Sequence, residues 1–398
     1  MRALVIAPQP FFSPRGTPFS VYYRTLVASE QGVKIDLLTY GEGQDVEIPN
    51  VRIIRIPYFK ILGPVKVGPS YSKLFLDMFI MIWTLGLLLK KRYNFIHAHE
   101  EAIFFCLFLK PIFRFKLIYD MHSSLPQQLI NFKFTKSKLI INLFKSLEEA
   151  CLRVADVVIT ICPDLADYVN DLIRDNKKHL LIENSIFEPV KVGLNRNSRN
   201  HENSFESKQL EGKIQLPKGK RFVVYAGTLE PYQGIDILID AFRRVVDRTQ
   251  DAFLIIVGGN EEQVKYYCGL AESIGADDHI LFTGRVPQLL AKYYCSLASV
   301  LVSPRSSGTN TPLKIYEQIA SGIPLVATNI YSHTQVLDDS VAFLVSPDPD
   351  DMADGILKAL NTNMDRCSIT INAKKLYDQK YSRPVYEKKM RNVLELLN

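Results

Sequence analysis

The sequence predicts an α/β protein made of two parallel three-layer sandwiches, and three observations carry that reading. Short runs of Val, Ile and Leu alternate with helical stretches along the whole chain, the pattern of parallel sheets covered by helices. A chain of 398 residues exceeds what one hydrophobic core usually organises, so two domains are expected. A polar, aperiodic stretch at 191–219, containing NRNSRNHENSFESKQLEGK, reads as a linker between a domain at 1–190 and a second at 220–380.

A hydrophobic content of 47% with 23% charged residues describes a soluble globular protein. The six cysteines are scattered and form no C-x-x-C, so they read as reduced thiols of a cytosolic protein without a zinc site. The start, MRALVIAPQP, reads as a buried strand and lacks the long apolar run of a signal peptide. Charge is uneven. Residues 51–153 hold 16 basic and 6 acidic side chains, while the chain as a whole has a net charge of +6. Such an excess implies an anionic partner for the N-terminal half. The chain shows no nucleic-acid module, so an anionic membrane surface or a phosphorylated acceptor is expected. Phe132, Phe134, Lys133, Lys136 and Lys138 mark the suspected contact.

In order, Ala3–Ala7 reads as a strand, Phe11–Phe19 as a loop and Ser20–Gly32 as a helix, the opening of a doubly wound domain. No G-x-G-x-x-G follows, so a dinucleotide fingerprint is absent. Val33–Tyr40 and Val51–Ile56 are further strands. Lys73–Lys91 is the most apolar helix; its core of about sixteen residues contains Asp77 and falls short of the ~20 that span a bilayer. It reads as a buried crossover helix, with an interfacial role as the lesser alternative. Strands at Phe95–His99 and Leu117–Asp120 both run into histidines, His99 and His122, at the end of the sheet where sites form. A helix holding Glu148 and Glu149, a strand, and a helix from Pro163 to Arg174 complete the first half.

The second half opens with a strand at Arg221–Tyr225, then AGTLEPYQG and a helix over Ile235–Thr249. Strands at Leu254–Val257 and Ile280–Phe282 end in Gly258-Gly259 and Gly284-Arg285-Val286. Next comes the stretch SPRSSGTNTPLKIYEQIASGIPLVAT, Ser303–Thr328, between two buried strands. Thr311 is expected to cap a helix that begins at Pro312 and ends at Gly322. A strand, a polar loop and a helix N-terminus make an anion site. Arg305 and Lys314 add formal positive charge to it. Glu317 shares a helix face with Leu313, and a carboxylate beside a phosphate site suits the two hydroxyls of a ribose. Together these residues suggest a nucleotide diphosphate. The acidic cluster Asp348, Asp350 and Asp351 precedes a helix and reads as an N-cap, and no D-x-D stands at a strand end. No metal is expected.

The stretch resembles the nucleotide-sugar glycosyltransferases of the GT-B architecture, most closely glycosyltransferase family 4. Glu317 matches the second of that family's two glutamates, and Ser321-Gly322-Ile323-Pro324-Leu325-Val326-Ala327 match the segment after it. Thr309 stands at the first glutamate, and Thr311-Pro312 at a phenylalanine-glycine pair. Thr228 after Gly227, and Gln233 before Gly234, occupy positions where the family carries an arginine and a lysine on the donor diphosphate. Arg305 and Lys314 are therefore assigned that charge on electrostatic grounds. The resemblance implies two Rossmann-like domains facing each other across a cleft, with a C-terminal helix at 381–398 crossing back to the first. It implies donor contacts from Gly16, Thr17, Gly227, Thr228, Gln233, Gly258, Arg285, Val286, Thr309, Asn310, Thr311, Pro312, Leu313 and Glu317, to which the electrostatic assignment adds Arg305 and Lys314. His122 matches the family's histidine after a Tyr-Asp strand end and is, with Glu317, the expected catalytic residue. The implied reaction moves a sugar from a UDP- or GDP-sugar to a glycan or lipid-linked hydroxyl with retention, without metal, in the cytoplasm or peripherally at the inner face of a membrane. An inverting transferase, a nucleotide-sugar epimerase and a non-catalytic sugar-nucleotide-binding protein are the alternatives.

Overall fold

The computed structural model describes residues 1–13, 16–63, 65, 70–126, 137–173, 177–184, 186–188, 190, 216–361 and 364–397. The chain divides into two compact units, Met1–Asn197 with Arg383–Asn398, and Ser198–Ser382. The linker expected at 191–219 lies outside the described residues up to position 215, as do the aromatic and basic positions 132–136.

In the first unit, β1 (Arg2–Ala7), β2 (Lys34–Thr39), β3 (Val51–Arg55), β4 (Phe95–His99), β5 (Lys116–Met121), β6 (Val157–Thr160) and β7 (His179–Leu181) form one parallel sheet. Its order is β3-β2-β1-β4-β5-β6-β7, so the winding direction reverses between β1 and β4. Alternation along the strands sorts the side chains. Leu4, Ile6, Ile96, Leu117 and Tyr119 pack beneath a layer of four helices: α2 (Tyr71–Lys90), α3 (Ala102–Phe113), α4 (Lys138–Val154) and α5 (Pro163–Ile173). Asp120, between Tyr119 and Met121, turns to the opposite face, where α1 (Gly16–Glu30) supplies Arg24. There α1 packs against α13 (Arg383–Glu395).

Three sequence expectations change here. Helix α1 starts at Gly16, four residues before the expected Ser20, because Pro18 falls in its first turn, where no N–H is needed. Gly16 and Thr17 are therefore helical and form no loop. Helix α2 is not buried: only Leu76, Ile80, Thr84 and Leu88 are covered, a single stripe at spacing four. Helix α3 went unpredicted, since AIFFCLFLKPIF has no polar period and carries Pro111.

The second unit is a six-stranded parallel sheet of β8 (Arg221–Ala226), β9 (Ala252–Val257), β10 (Ile280–Gly284), β11 (Ala298–Ser303), β12 (Leu325–Thr328) and β13 (Phe343–Val345). The order β10-β9-β8-β11-β12-β13 again reverses, between β8 and β11. Helices α6 (Ile235–Arg248), α7 (Glu261–Ser273) and α11 (Pro349–Leu360) cover one face. The other is covered by α8 (Gln288–Ser296), α9 (Leu313–Ala320) and α12 (Met364–Lys380), and α10 (Tyr331–Thr334) follows β12. Asp348 caps α11, accepting from the N–H groups of Asp350 and Asp351 at 3.0 Å each, as its position in the sequence suggested.

Candidate active site

In parallel α/β sheets, ligands bind beyond the carboxyl ends of the strands where the winding reverses. In the second unit that point lies between the loop after β8, with Gly227, Thr228 and Gln233, and the loop after β11, with Arg305 through Pro312. Glycines let these loops close on one another. A Cβ at Gly258 would stand 1.9 Å from the Gly227 carbonyl oxygen, and one at Gly234 would stand 2.0 Å from that of Pro304. Ser306 donates its N–H to the Tyr232 carbonyl at 3.0 Å, and Gly258 donates to that of Gly284 at 2.9 Å.

Lys314 is the centre of this arrangement. Its Nζ lies 4.0 Å from the Tyr225 ring centre, beside Gly227, is closed off from solvent and has no hydrogen-bond partner among the described residues. Burial, then the nearby Arg305, pushes its pKa down to about 7. Thr311 Oγ1 and Gln233 Oε1 are likewise enclosed without hydrogen bonds among the described residues. A buried ammonium without an anion is costly, so the pocket's chemistry favours an anionic ligand.

Other assigned residues behave differently. Helix α9 begins at Leu313 with Pro312 at its N-cap and no side-chain cap, so the expected cap at Thr311 does not form. Pro312 keeps an extended ψ of 134° there, which leaves the Thr311 hydroxyl outside reach of the first turn's capping geometry. Arg305 already donates through Nε to the Ser307 carbonyl at 2.7 Å and through Nη1 to that of Asn310 at 3.0 Å, while its guanidinium lies over the Tyr232 ring at 5.2 Å. A Cβ on Gly308, whose φ is +126°, would strike Arg305 Nη2 at 2.2 Å. Arg305 therefore organises the loop, with only part of its donor set left for a ligand. Glu317 pairs with Lys292 of α8 at 3.2 Å and not with Lys314. Burial raises its pKa, and Lys292 opposes the rise. Thr228 and Arg285 are exposed, as is Thr309, and Val286 packs into the core under α8. His333, which the sequence reading passed over, braces the site: its ring lies 3.0 Å from Ser303 Oγ and 2.9 Å from the Thr328 carbonyl, tying the ends of β11 and β12 together. A lone histidine in a four-residue helix carries no pattern by which sequence could find it.

In the first unit, β4 and β5 bring three histidines onto one carboxylate. Asp120 Oδ2 lies 2.5 Å from Arg24 Nε and 2.9 Å from His97 Nε2. His99 Nδ1 and His122 Nε2 stand 3.1 Å apart, and His122 lies 3.4 Å from Asp120 Oδ1. The register that pairs His99 with Asp120 across neighbouring strands accounts for the gathering. Burial drives the His122 pKa down to about 4 against the pull of Asp120, so its ring is neutral at physiological pH. His97, absent from the sequence assignment, makes the shorter contact. The donor atoms of His97, His99 and Asp120 lie within 4.8 Å of one another, close enough for a metal ion. Arg24 already neutralises that carboxylate and would repel a second cation, so the set does not suit one.

Two family models match the chain. "Glycosyltransferase Family 4" fits residues 20–186 and "Glycosyl transferases group 1" fits residues 206–376. The fold agrees: sucrose-phosphate synthase from Thermosynechococcus elongatus superposes with a TM-score of 0.74 at 20% identity, covering 100% of this chain and 98% of that one. Anabaena Alr3699/HepE in complex with UDP gives 0.71 at 15% identity, covering 99% and 100%. The chain is a glycosyltransferase of the GT-B class. Within that class it belongs to the family 4-like enzymes, with a Family 4 region followed by a group 1 region. A phosphatidyl-myo-inositol mannosyltransferase of Mycobacterium tuberculosis (strain CDC 1551 / Oshkosh) is 31% identical over 156 residues, 37% of this chain and 40% of that protein. The chain thus matches well under half the length of that relative. The Mycobacterium leprae protein of the same name is 24% identical over 92% of this chain and 88% of its own length.

Proposed function

We propose that the protein transfers a sugar from a UDP- or GDP-sugar to a hydroxyl of a glycan or lipid-linked acceptor, with retention at the anomeric carbon, in cell-envelope or polysaccharide assembly. The observation that carries this reading is Lys314, an enclosed ammonium without a counter-ion among the described residues, at the reversal point of the group 1 sheet. In the proposed reaction the acceptor oxygen bonds to the anomeric carbon as the bond from that carbon to the β-phosphate oxygen breaks. The hydroxyl proton passes to that phosphate oxygen, and the nucleoside diphosphate leaves. Lys314 and the N-terminal end of α9 lie where the charge that develops on it would be met. Such a step asks for neither a metal nor a side-chain base, and His122, buried and neutral, fits a positioning part better than proton abstraction. A lipid-linked acceptor is suggested by the names of the mycobacterial relatives and of the alpha-monoglucosyldiacylglycerol synthase of Streptococcus pneumoniae, 24% identical over 56% of this chain and 49% of that protein. The UDP-glucose complex of HepE supports a nucleotide-sugar donor. Five described cysteines are free thiols, in keeping with the cytoplasm.

A panel of radiolabelled nucleotide sugars, offered with lipid and glycan acceptors in the presence of a chelator, tests the reading. Label should move to an acceptor from one donor, undiminished by the chelator, with the donor's anomeric configuration kept. Epimerised donor, or donor bound without turnover, overturns it.

A further inference from the structure

Helix α2 is apolar on both sides. The stripe Leu76, Ile80, Thr84 and Leu88 faces the sheet. On the other side Leu74, Met78, Ile82, Leu85 and Leu89 form a second stripe at spacings of three and four, and Leu89 is 72% exposed. A helix apolar all round is either enclosed by protein or set in lipid. The pattern continues along the layer, where α2 adjoins α3 and α3 adjoins α4. Phe108 and Ile112 of α3 stand out, the latter 70% exposed, with Leu139 of α4 at 84% and Leu143 beside it. Contiguous apolar surface of this extent marks an interaction site.

The charges around it narrow the choice of partner. Lys90, Arg92, Arg114, Lys138 and Lys145 lie on or just beyond these helices, exposed and without an ion-pair partner among the described residues. The helices carry only three acidic groups. Glu148 is buried, Asp77 is half-buried beneath the Tyr40 hydroxyl, and Glu149 pairs with Arg153. A second copy of this face would bring cations against cations in a two-fold contact. An anionic bilayer surface meets both the apolar plate and its basic surround. We infer that the outer faces of α2, α3 and α4 dock this protein flat on an anionic membrane, the apolar side chains entering the headgroup boundary. Helix α2 does not span the bilayer in this arrangement, because its inner stripe holds it to the sheet. The inference goes beyond the proposed reaction, and its test uses no sugar donor, so either can fail alone.

The chain's single tryptophan, Trp83, lies on α2 and reports on docking directly. The full-length protein is mixed with phosphatidylglycerol-containing vesicles or with phosphatidylcholine vesicles, and binding is followed by sedimentation and by quenching of Trp83 by brominated acyl chains. Anionic vesicles should pellet the protein and brominated lipid should quench Trp83. The double variant L85E/I112E, its fold checked by far-UV circular dichroism, should bind about tenfold or more weakly. Vesicles that do not pellet the protein, an unquenched Trp83, or a double variant that binds as well as the parent each overturn the inference. So does a dimer in sedimentation equilibrium that the double variant dissociates while neither vesicle is bound.

Discussion

Lys314 is an ammonium that folding has made easy to deprotonate, and that gives its role a measurable signature. Burial favours the neutral amine, so the pKa falls to about 7, whereas a diphosphate beside it favours the ammonium and raises the pKa again. Binding of a free nucleoside diphosphate near pH 8 should therefore take up protons, and affinity should fall as pH rises above about 7. Titration calorimetry in buffers of different ionisation enthalpy measures the uptake directly. Lys314→Ala should abolish the uptake and weaken diphosphate binding by about ten- to a hundredfold, the loss of one charge-assisted bond. Unchanged affinity in that variant would move the diphosphate elsewhere. Glu317 needs a paired comparison, because Lys292 already holds it at 3.2 Å. Glu317→Gln should weaken binding of the nucleotide by about tenfold if the carboxylate accepts from the ribose, while Lys292→Ala keeps the acceptor and should change it little. If both variants bind as the parent does, Glu317 is only half of an ion pair.

At the scale of an element, α2 joins the sheet through a crowded acidic junction as well as through its apolar stripe. The Tyr40 hydroxyl donates to Asp77, and Lys73 pairs with Glu101 at 3.2 Å. Burial, then Glu101, raises the pKa of Asp77 to about 7, and the same two causes raise that of Glu100 to about 7. A carboxyl whose folded pKa lies above its unfolded value of 3.8 stabilises the fold at acid pH and gives up that contribution as pH rises through about 7. Asp77→Asn cannot ionise and still accepts from Tyr40. Its thermal midpoint should exceed the parent's at pH 8 and match it at pH 4. A lower midpoint at both would show that the carboxylate supplies something the amide cannot.

For the molecule as a whole, the informative piece is the C-terminal helix α13, which closes the first unit although 185 residues of the second precede it in the chain. Tyr386, Met390, Val393 and Leu394 are buried there. Arg383 donates to both oxygens of Glu30 at 2.8 and 2.9 Å and to Glu188 at 3.0 Å, and the Tyr386 hydroxyl meets the buried Arg24 at 3.3 Å. Met390→Ala should thus lower the stability of the first unit, remote from it in sequence, by about 2–5 kcal/mol. Urea unfolding followed by Trp83, which lies in that unit, checks it: an unshifted transition would mean that α13 adds little to the core.

How much of this was written in the chain follows from the range of the forces involved. Alternating apolar runs, glycine loops and helix caps act over a few residues, so the α/β class, most strands and the Asp348 cap were legible, and a spaced motif around Glu317 sufficed for the family. The sequence also marked Lys314 as a cation at a helix start. It could not show that the ammonium is enclosed without a partner among the described residues, because that depends on Tyr225 and Gly227, nearly ninety residues earlier. Nor could it show that Arg305 spends donors on its own loop, or that Glu317 meets Lys292. His97, His99 and His122 converge on Asp120 only because parallel pairing aligns β4 with β5. Helix α2 carried no polar period, so its composition was the same whether buried or bare. Only packing decided that one stripe would meet the sheet and the other would be left open, since the described residues of the first unit supply helices enough for one layer on that face and none for a second.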